Sequence, residues 1–154
     1  MLSTISAFFA SMFFAVLYNT RGKLLIFTAF CGALGMFIFN VLEPHGLVAQ
    51  FLIATIAMSI YSEILARICK IPVLVILTVG ILPIVPGAGV YYTIYYLLEE
   101  NLSQFCSYGL RTLLSTGAMA LGIVLVSSSM RLIKIMRFTL KHATYERKYL
   151  PKMK

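Results

Sequence analysis

Residues 80–89 read Gly80-Ile81-Leu82-Pro83-Ile84-Val85-Pro86-Gly87-Ala88-Gly89, in the middle of an uncharged stretch from 71 to 98. As one helix, the roughly 28 residues of this stretch would measure about 42 Å, well beyond the roughly 30 Å of a bilayer's hydrocarbon core. The whole chain is similarly apolar, with 60% hydrophobic and 12% charged residues among 154. Soluble domains carry about 45–50% apolar and about 25% charged residues. The composition therefore predicts an integral membrane protein and excludes a soluble enzyme, a disordered tail and a nucleic-acid-binding domain.

Two prolines and two glycines explain the excess length of that stretch. Pro83 and Pro86 each lack a backbone donor and clash with the preceding turn, so carbonyls one turn earlier are expected to lose their helical partners. Gly87 and Gly89 permit backbone conformations closed to other residues. We expect two half-helices with an unwound joint, which must be buried in protein or line a wet cavity because it cannot face lipid. In transporters such joints bind substrates and ions, whereas the plainer alternative is a proline kink.

Four tyrosines follow the joint. Tyr91 and Tyr92 lie beside it, where their hydroxyl groups are placed to donate hydrogen bonds into a cavity. Tyr95 and Tyr96 are better explained by an aromatic belt at the membrane interface. Tyr91 and Tyr92 therefore join the prolines and glycines of the joint as candidate residues of a substrate or ion pathway.

Charges and turn-forming residues divide the chain into five apolar helices, the fourth of which is broken at the joint. A helix needs about 20 residues to cross the hydrocarbon core. The predicted fold is an all-α integral membrane protein with a single transmembrane domain, 1–135, and a basic cytoplasmic tail, 136–154. The five predicted spans lie at about 2–20, 24–42, 47–66, 71–98 and 110–133.

The positive-inside rule assigns the two sides of the membrane. Thirteen Lys and Arg residues face five acidic residues, and eight of these cations lie from Arg131 onward. The connections after the first and third spans are also basic, whereas those after the second and fourth are acidic or neutral. The N-terminus is therefore expected outside and the C-terminus in the cytoplasm, with Arg111 the one cation on the outer side. The basic tail is expected to contact membrane lipids.

A polar stripe runs down the third span. Thr55, Ser59, Glu63 and Arg67 are spaced by four residues and so share one helix face. A carboxylate inside a span is costly unless it is paired or close to water, which makes Glu63 a candidate for a substrate or ion pathway. Glu63 also lies one turn from Arg67 near the cytoplasmic boundary, so a shallow ion pair explains it equally well.

Few residues suggest a metal site, a cofactor or catalysis. Cys31, Cys69 and Cys106 are widely spaced, and His45 and His142 are far apart with no Asp to support a site. Nothing resembles a nucleophile–base pair, a phosphate-binding loop or a nucleotide-binding fold. We therefore expect a protein that is not an enzyme and that has no metal, no cofactor and no nucleic-acid partner.

The run Ser62-Glu63-Ile64-Leu65-Ala66-Arg67, followed by Lys70-Ile71-Pro72, leads into the joint and its tyrosines. Together these segments resemble the threonine/serine exporter family, and more narrowly the small subunit of its split, two-subunit members. The specific part of the resemblance is a P-x-x-P-G-x-x-x-Y core at Pro83, Pro86, Gly87 and Tyr91.

The resemblance implies a multi-pass secondary transporter that exports small polar metabolites across the bacterial inner membrane. The substrates would be threonine and serine, or dicarboxylates such as succinate, and the proton gradient would drive export. A larger partner subunit of the same family is implied, and an odd number of spans would make the two halves inverted relative to each other. A homo-oligomer is also compatible with the sequence. The alternative, from another functional class, is a non-transporting scaffold or lipid-binding assembly factor that uses the basic tail.

Overall fold

The computed structural model describes the backbone of residues 1–149 and the side chains of residues 1–44 and 46–136. All regular secondary structure within residues 1–149 is helical, which confirms the all-α prediction. Two short 3₁₀ turns, Glu43–His45 and Leu82–Ile84, separate longer helices. The helices are α1 (Leu2–Leu17), α2 (Lys23–Val41), α3 (Leu47–Cys69), α4 (Val73–Ile81), α5 (Gly87–Leu98) and α6 (Leu102–Tyr149).

Three described helices are long and apolar enough to cross a membrane, namely α2, α3 and the Leu102–Met136 part of α6. The segments on either side of the joint pass the same test as a pair that is bent by 52°, which makes a fourth candidate span. α1 is apolar, but its 16 residues reach only about 24 Å, less than the thickness of a hydrocarbon core. The count of five spans and the side of each terminus therefore stay predictions.

The last predicted span, 110–133, lies inside α6. This helix begins earlier, at Leu102, because the Asn101 side-chain oxygen accepts a hydrogen bond from the Gln104 backbone N–H at 3.2 Å, as an N-cap residue does. The predicted basic tail, 136–154, falls almost entirely outside the described side chains, as do His45 and His142. The proposed contact of the tail with lipids therefore stays a prediction.

Residues with positive φ form the turns between helices. Gly22 and Gly46, with φ of 67° and 89°, directly precede α2 and α3, and glycine adopts such angles at no steric cost. Lys70, with φ of 56°, ends α3 in the left-handed conformation, and Ile71 N–H then bonds the Ala66 carbonyl at 3.0 Å. This closure is typical of a helix C-terminus, and Pro72 follows it because proline fits the start of α4.

Small residues bring the helices together. Ser11 of α1 lies against Gly32 of α2, where an added Cβ would clash with the serine hydroxyl. Gly80 of α4 approaches α2 in the same way, since its Cβ would lie 2.6 Å from Cys31 Sγ. Close backbone approach of this kind is a main source of helix association in lipid. As a result α1 and α4 pack on α2, α3 packs on α2, α4 and α6, and α5 packs mainly on α6.

The buried core lies between α2, α3 and α4, around the fully buried Met58 and Ile76. Gly35 of α2 makes room there, because an added Cβ would clash with Met58 and with Ile84. Ile84 belongs to the 3₁₀ turn, so the α4 side of the joint is anchored in the core. α5, by contrast, has no buried residue.

The predicted break is present between α4 and α5. Val85, with φ of −50° and ψ of 130°, interrupts the helical conformation between the 3₁₀ turn and Pro86. The Val79 carbonyl keeps a partner in spite of Pro83, because it accepts a hydrogen bond from the Leu82 N–H. The Val79 carbonyl has therefore lost its helical partner at Pro83, as expected, but it is not free, because the 3₁₀ turn supplies a donor one residue earlier.

The conformational argument for the two glycines is wrong. Gly87 and Gly89 lie in the first turn of α5, and neither has a positive φ. Any residue can adopt such helical angles, so the backbone itself does not require glycine at either position.

Candidate functional site

Among the cavities along the seam between α3 and α6, two contain four of the predicted pathway residues. The first, which we call the joint cavity, is lined by Pro86 and Gly89 among others. The second, which we call the basic cavity, is lined by Glu63 and Arg67 among others. Twelve residues of α3 separate Phe51 in the first cavity from Glu63 in the second, a distance of about 18 Å.

The joint cavity has a volume of about 310 Å³. The beginning of α3 contributes apolar side chains, and the joint contributes the first turn of α5. The residues from α6 share one helix face because they are spaced by three or four positions. The lining residues are Leu47 and Phe51 of α3, Pro86, Ala88 and Gly89 at the joint, and Tyr108, Arg111, Thr112 and Ser115 of α6.

Gly89 lets α5 approach α6 beside this cavity. An added Cβ at Gly89 would clash with Thr112 Oγ1 and would lie 3.4 Å from Thr112 Cβ. An added Cβ at Gly87 would have nothing within 4 Å. The two glycines therefore differ, since Gly89 is required by helix packing whereas Gly87 faces open space and does not line the joint cavity.

The joint cavity carries positive charge from one side chain and from a helix end. Arg111 makes no ion pair within the described side chains. Ala88 and Gly89 present first-turn N–H groups of α5, which carry the partial positive charge of a helix N-terminus. The hydroxyl groups of Thr112 and Ser115 donate to carbonyls of α6 at 2.7 and 2.8 Å, and their oxygen atoms can still accept. The arrangement suits a small anion with a hydrogen-bonding group beside it.

The basic cavity has a volume of about 600 Å³ and lies at the other end of the seam. Arg67 Nη2 lies 3.4 Å from Glu63 Oε2, and the Glu63 side chain is 15% exposed. The ion pair that offered one explanation of Glu63 is therefore present, and the same carboxylate also faces a cavity. The lining residues are Glu63, Ala66 and Arg67 of α3, Ile71 and Val73 at the start of α4, and Ser127, Ser128, Met130, Arg131 and Lys134 of α6.

The seam is closed between the two cavities. Thr55 is fully buried and donates to the Phe51 carbonyl at 2.8 Å, and its hydroxyl lies against Gly122 of α6. Ser59, one turn further along α3, is 1% exposed, and its hydroxyl has no hydrogen-bond partner in the described part of the chain. The predicted polar stripe thus links the cavities, but no open passage runs along Thr55 because Gly122 packs directly on it.

The tyrosines after the joint lie on the surface of the chain. Tyr91 and Tyr92 are 61% and 42% exposed, and neither lines the joint cavity. Tyr91 stacks instead with Tyr95, and Tyr92 stacks with Tyr96. The ring of Tyr108 of α6 lies tilted against that of Tyr92, with the ring centroids 5.4 Å apart. Pro83 also lines neither cavity, because it lies in the 3₁₀ turn beside the core.

Potential metal ligands are sparse in both cavities. Among the side chains that the structure describes, Glu63 is the one carboxylate that lines the basic cavity, and none lines the joint cavity. Within the described residues, no three His, Cys, Asp or Glu side chains come together where they could hold a metal ion.

Sequence reasoning missed most of the α6 contribution to both cavities. Arg111 stood out only as the one cation on the predicted outer side, and Tyr108 and Ser115 drew no attention. Their spacing, with Thr112, at positions i, i+3, i+4 and i+7 was the available signal of a shared polar face. Nothing in the sequence indicates that this face meets the joint.

Comparison with known protein families gives a match over most of the chain. The family model described as threonine/serine exporter, ThrE, matches residues 3–129. The chain belongs to the threonine/serine exporter family. Comparison with curated proteins and with solved structures gives no match.

Membership of the threonine/serine exporter family identifies a multi-pass membrane protein of the amino-acid exporter type. The matched region contains every lining residue of the joint cavity, whereas Met130, Arg131 and Lys134 of the basic cavity lie beyond it. The joint cavity therefore lies wholly within the part of the chain that matches the exporter family.

Proposed function

We propose that this chain is the small subunit of a two-subunit secondary transporter in the bacterial inner membrane. It exports threonine- and serine-type amino acids, or dicarboxylates such as succinate, and the proton gradient drives export. The observation that carries the proposal is the joint cavity, in which a broken helix and Arg111 meet beside hydroxyl-bearing side chains. Broken helices form substrate sites in many transporters because half-helix ends supply partial charges inside the membrane.

The chemistry of the joint cavity matches the proposed substrates. Each of them carries a carboxylate, which the Arg111 guanidinium can bind through two hydrogen bonds. The N-terminus of α5 favours the same negative charge. Thr112 and Ser115 offer oxygen atoms that can accept from a substrate ammonium or hydroxyl group. A volume of about 310 Å³ is at the lower end for ligand sites, which favours small metabolites.

The proposed pathway runs along the seam between α3 and α6. It leads from the basic cavity past Ser59 and Thr55 to the joint cavity, and the contact of Thr55 with Gly122 closes it in the described conformation. Glu63 is our candidate for the proton carrier, because it is the carboxylate of the stripe and faces a cavity. The charge distribution supports a cytoplasmic position for the basic cavity and an outer position for the joint cavity.

A larger subunit of the same family would complete the transporter. α5 has no buried residue, and it packs mainly on α6, so one side of the joint is uncovered in this chain. A homo-oligomer would cover the same side, and the experiment below tests whether the larger subunit is required.

The test is efflux from preloaded bacterial cells that express the full chain, with and without a larger family subunit from the same genome. We expect efflux of threonine, serine or succinate only when both are present. Export by the chain alone would show that no larger subunit is required, and no export of any of the three would favour the scaffold alternative.

Arg111→Gln tests the joint cavity itself. Losing hydrogen bonds to a charged group weakens binding by about 10- to 100-fold, so half-maximal efflux should need that much more substrate. Arg21→Gln is the matched control, because Arg21 is exposed and lies outside both cavities. An Arg111→Gln chain that exports like the control would refute the assignment of the cavity.

A further inference from the structure

The basic cavity contains more positive charge than its own residues neutralise. Among its described lining residues are three cations and one carboxylate, Glu63, which pairs with Arg67 at 3.4 Å. Arg131 and Lys134 make no ion pair among the side chains that the structure describes. The hydroxyl groups of Ser127 and Ser128 lie on the same wall. An anion is therefore the expected occupant.

The position of the cavity is that of lipid headgroups. Arg67 lies in the last turn of α3, and Arg131 follows the apolar part of α6 directly. Charges at the ends of apolar helices lie at the membrane–water boundary. The remaining wall is apolar, because it is formed by Ala66 and by Ile71 and Val73 at the start of α4.

An apolar groove of about 340 Å³ adjoins the basic cavity. The groove lies between α3 and α6, where Ile56 and Ile60 face Leu125 and Ile133. Met130 lines both spaces, so the cavity and the groove are neighbours on α6. Ile56 is two turns of α3 from Glu63, so the groove extends about 10 Å from the charged cavity toward the membrane centre.

We infer that an anionic phospholipid occupies this composite site, with its phosphate at Arg131 and Lys134 and the upper part of one acyl chain in the groove. Charge complementarity selects the headgroup, because basic spaces between helices on the cytoplasmic side favour anionic lipids. The groove selects a lipid over a free metabolite anion, which would leave Ile60 and Met130 uncovered. Such a lipid would contact α3, the start of α4 and α6 together. The inference does not rest on the substrate site at the joint, and the lipid would share the basic cavity with the inner end of the proposed substrate pathway.

The test measures lipid retention by the purified full chain in a neutral detergent, by native mass spectrometry and by thermal unfolding. The probes are phosphatidylglycerol, phosphatidylcholine, glycerol phosphate and inorganic phosphate. We expect phosphatidylglycerol to be retained and to raise the unfolding temperature, and the other three to have little effect. Protection by inorganic phosphate equal to that by phosphatidylglycerol would identify a soluble-anion site and overturn the inference.

One matched pair of double variants locates the headgroup. Arg131→Gln with Lys134→Gln should weaken phosphatidylglycerol binding by about 30-fold, since each cation near an anionic lipid contributes about fivefold. Arg21→Gln with Lys23→Gln removes the same charge from other exposed positions on the same predicted side. All four side chains are exposed, so folding should be unaffected. An equal loss of phosphatidylglycerol binding in both double variants would show attraction by net charge alone and would refute the site.

A second matched pair tests the groove. Ile60→Trp fills it, whereas Ile64→Trp adds the same bulk one turn away, at a residue that does not line it. Both side chains are more than a third exposed, at 41% and 49%. Ile60→Trp should lower phosphatidylglycerol retention and Ile64→Trp should leave it unchanged. Full retention by Ile60→Trp would overturn the placement of the acyl chain.

Discussion

Replacing Gly89 with alanine tests whether α5 must lie directly against α6 for the joint cavity to keep its shape. Alanine is favoured over glycine in a helix by up to about 1 kcal/mol. Against this gain, the new Cβ would clash with Thr112 Oγ1. Rotating Thr112 away would break its 2.7 Å hydrogen bond to the Tyr108 carbonyl, which costs about 1 kcal/mol. Displacing the helix instead costs about 1–3 kcal/mol, the usual range for overpacking.

Gly87→Ala is the matched control, because it makes the same change in the same helical turn where an added Cβ meets nothing within 4 Å. It should be neutral or stabilising by up to about 1 kcal/mol. The free energy of unfolding of Gly89→Ala should therefore lie about 1–3 kcal/mol below that of Gly87→Ala. Denaturant titration of the two proteins in the same detergent measures this difference. Efflux should fall in Gly89→Ala alone.

Thr112→Ala combined with Gly89→Ala completes the cycle. Removing the threonine hydroxyl and methyl groups removes the obstacle to the new Cβ. Gly89→Ala should therefore destabilise the Thr112→Ala protein much less than it destabilises the original protein. If Gly89→Ala and Gly87→Ala have the same stability and the same efflux, the close approach of α5 and α6 does not shape the cavity and the reasoning fails.

Three further expectations concern the joint, the orientation and the proton. Pro83→Ala with Pro86→Ala restores two backbone donors, so the span should insert normally as a straighter helix while efflux fails. Normal efflux by a well-inserted variant would show that the prolines only kink the helix. In a cysteine-free background, a cysteine at Asn101 should react with an impermeant thiol reagent from outside and one at Lys148 only from the cytoplasm, and the reverse pattern would overturn the charge argument. Glu63→Gln should make efflux insensitive to an imposed pH gradient, whereas an unchanged response would exclude Glu63 as the proton carrier.

The broken helix was predictable because its cause is local. Proline removes a donor wherever it lies, and an apolar stretch too long for the bilayer needs a break, so Pro83 and Pro86 indicate the joint without any tertiary information. The ion pair of Glu63 and Arg67 was foreseen as one of two explanations for the same reason, since residues four apart on a helix are neighbours.

The cavities themselves were not predictable, because they depend on which helix faces meet. Gly89 is explained by Thr112, a residue of another helix, and not by its own backbone angles. Tyr91 and Tyr92 are adjacent to the joint in sequence, yet their side chains lie on the exposed surface of α5. Arg111 reaches the joint cavity only because α6 runs back along α5. Neither the composition nor the periodicity of the sequence predicts that packing.

The contact between Gly122 and Thr55 gives α6 the geometry of a lever with its fulcrum near the middle of the seam. Arg111 lies eleven residues from Gly122 in one direction and Lys134 twelve in the other, so the two arms measure about 17 Å and about 18 Å. A tilt of α6 by about 5° would move each end by about 1.5 Å in opposite directions, so that widening one cavity would narrow the other. Two openings that exclude each other in this way need no separate gates, because a single rigid helix would couple them mechanically.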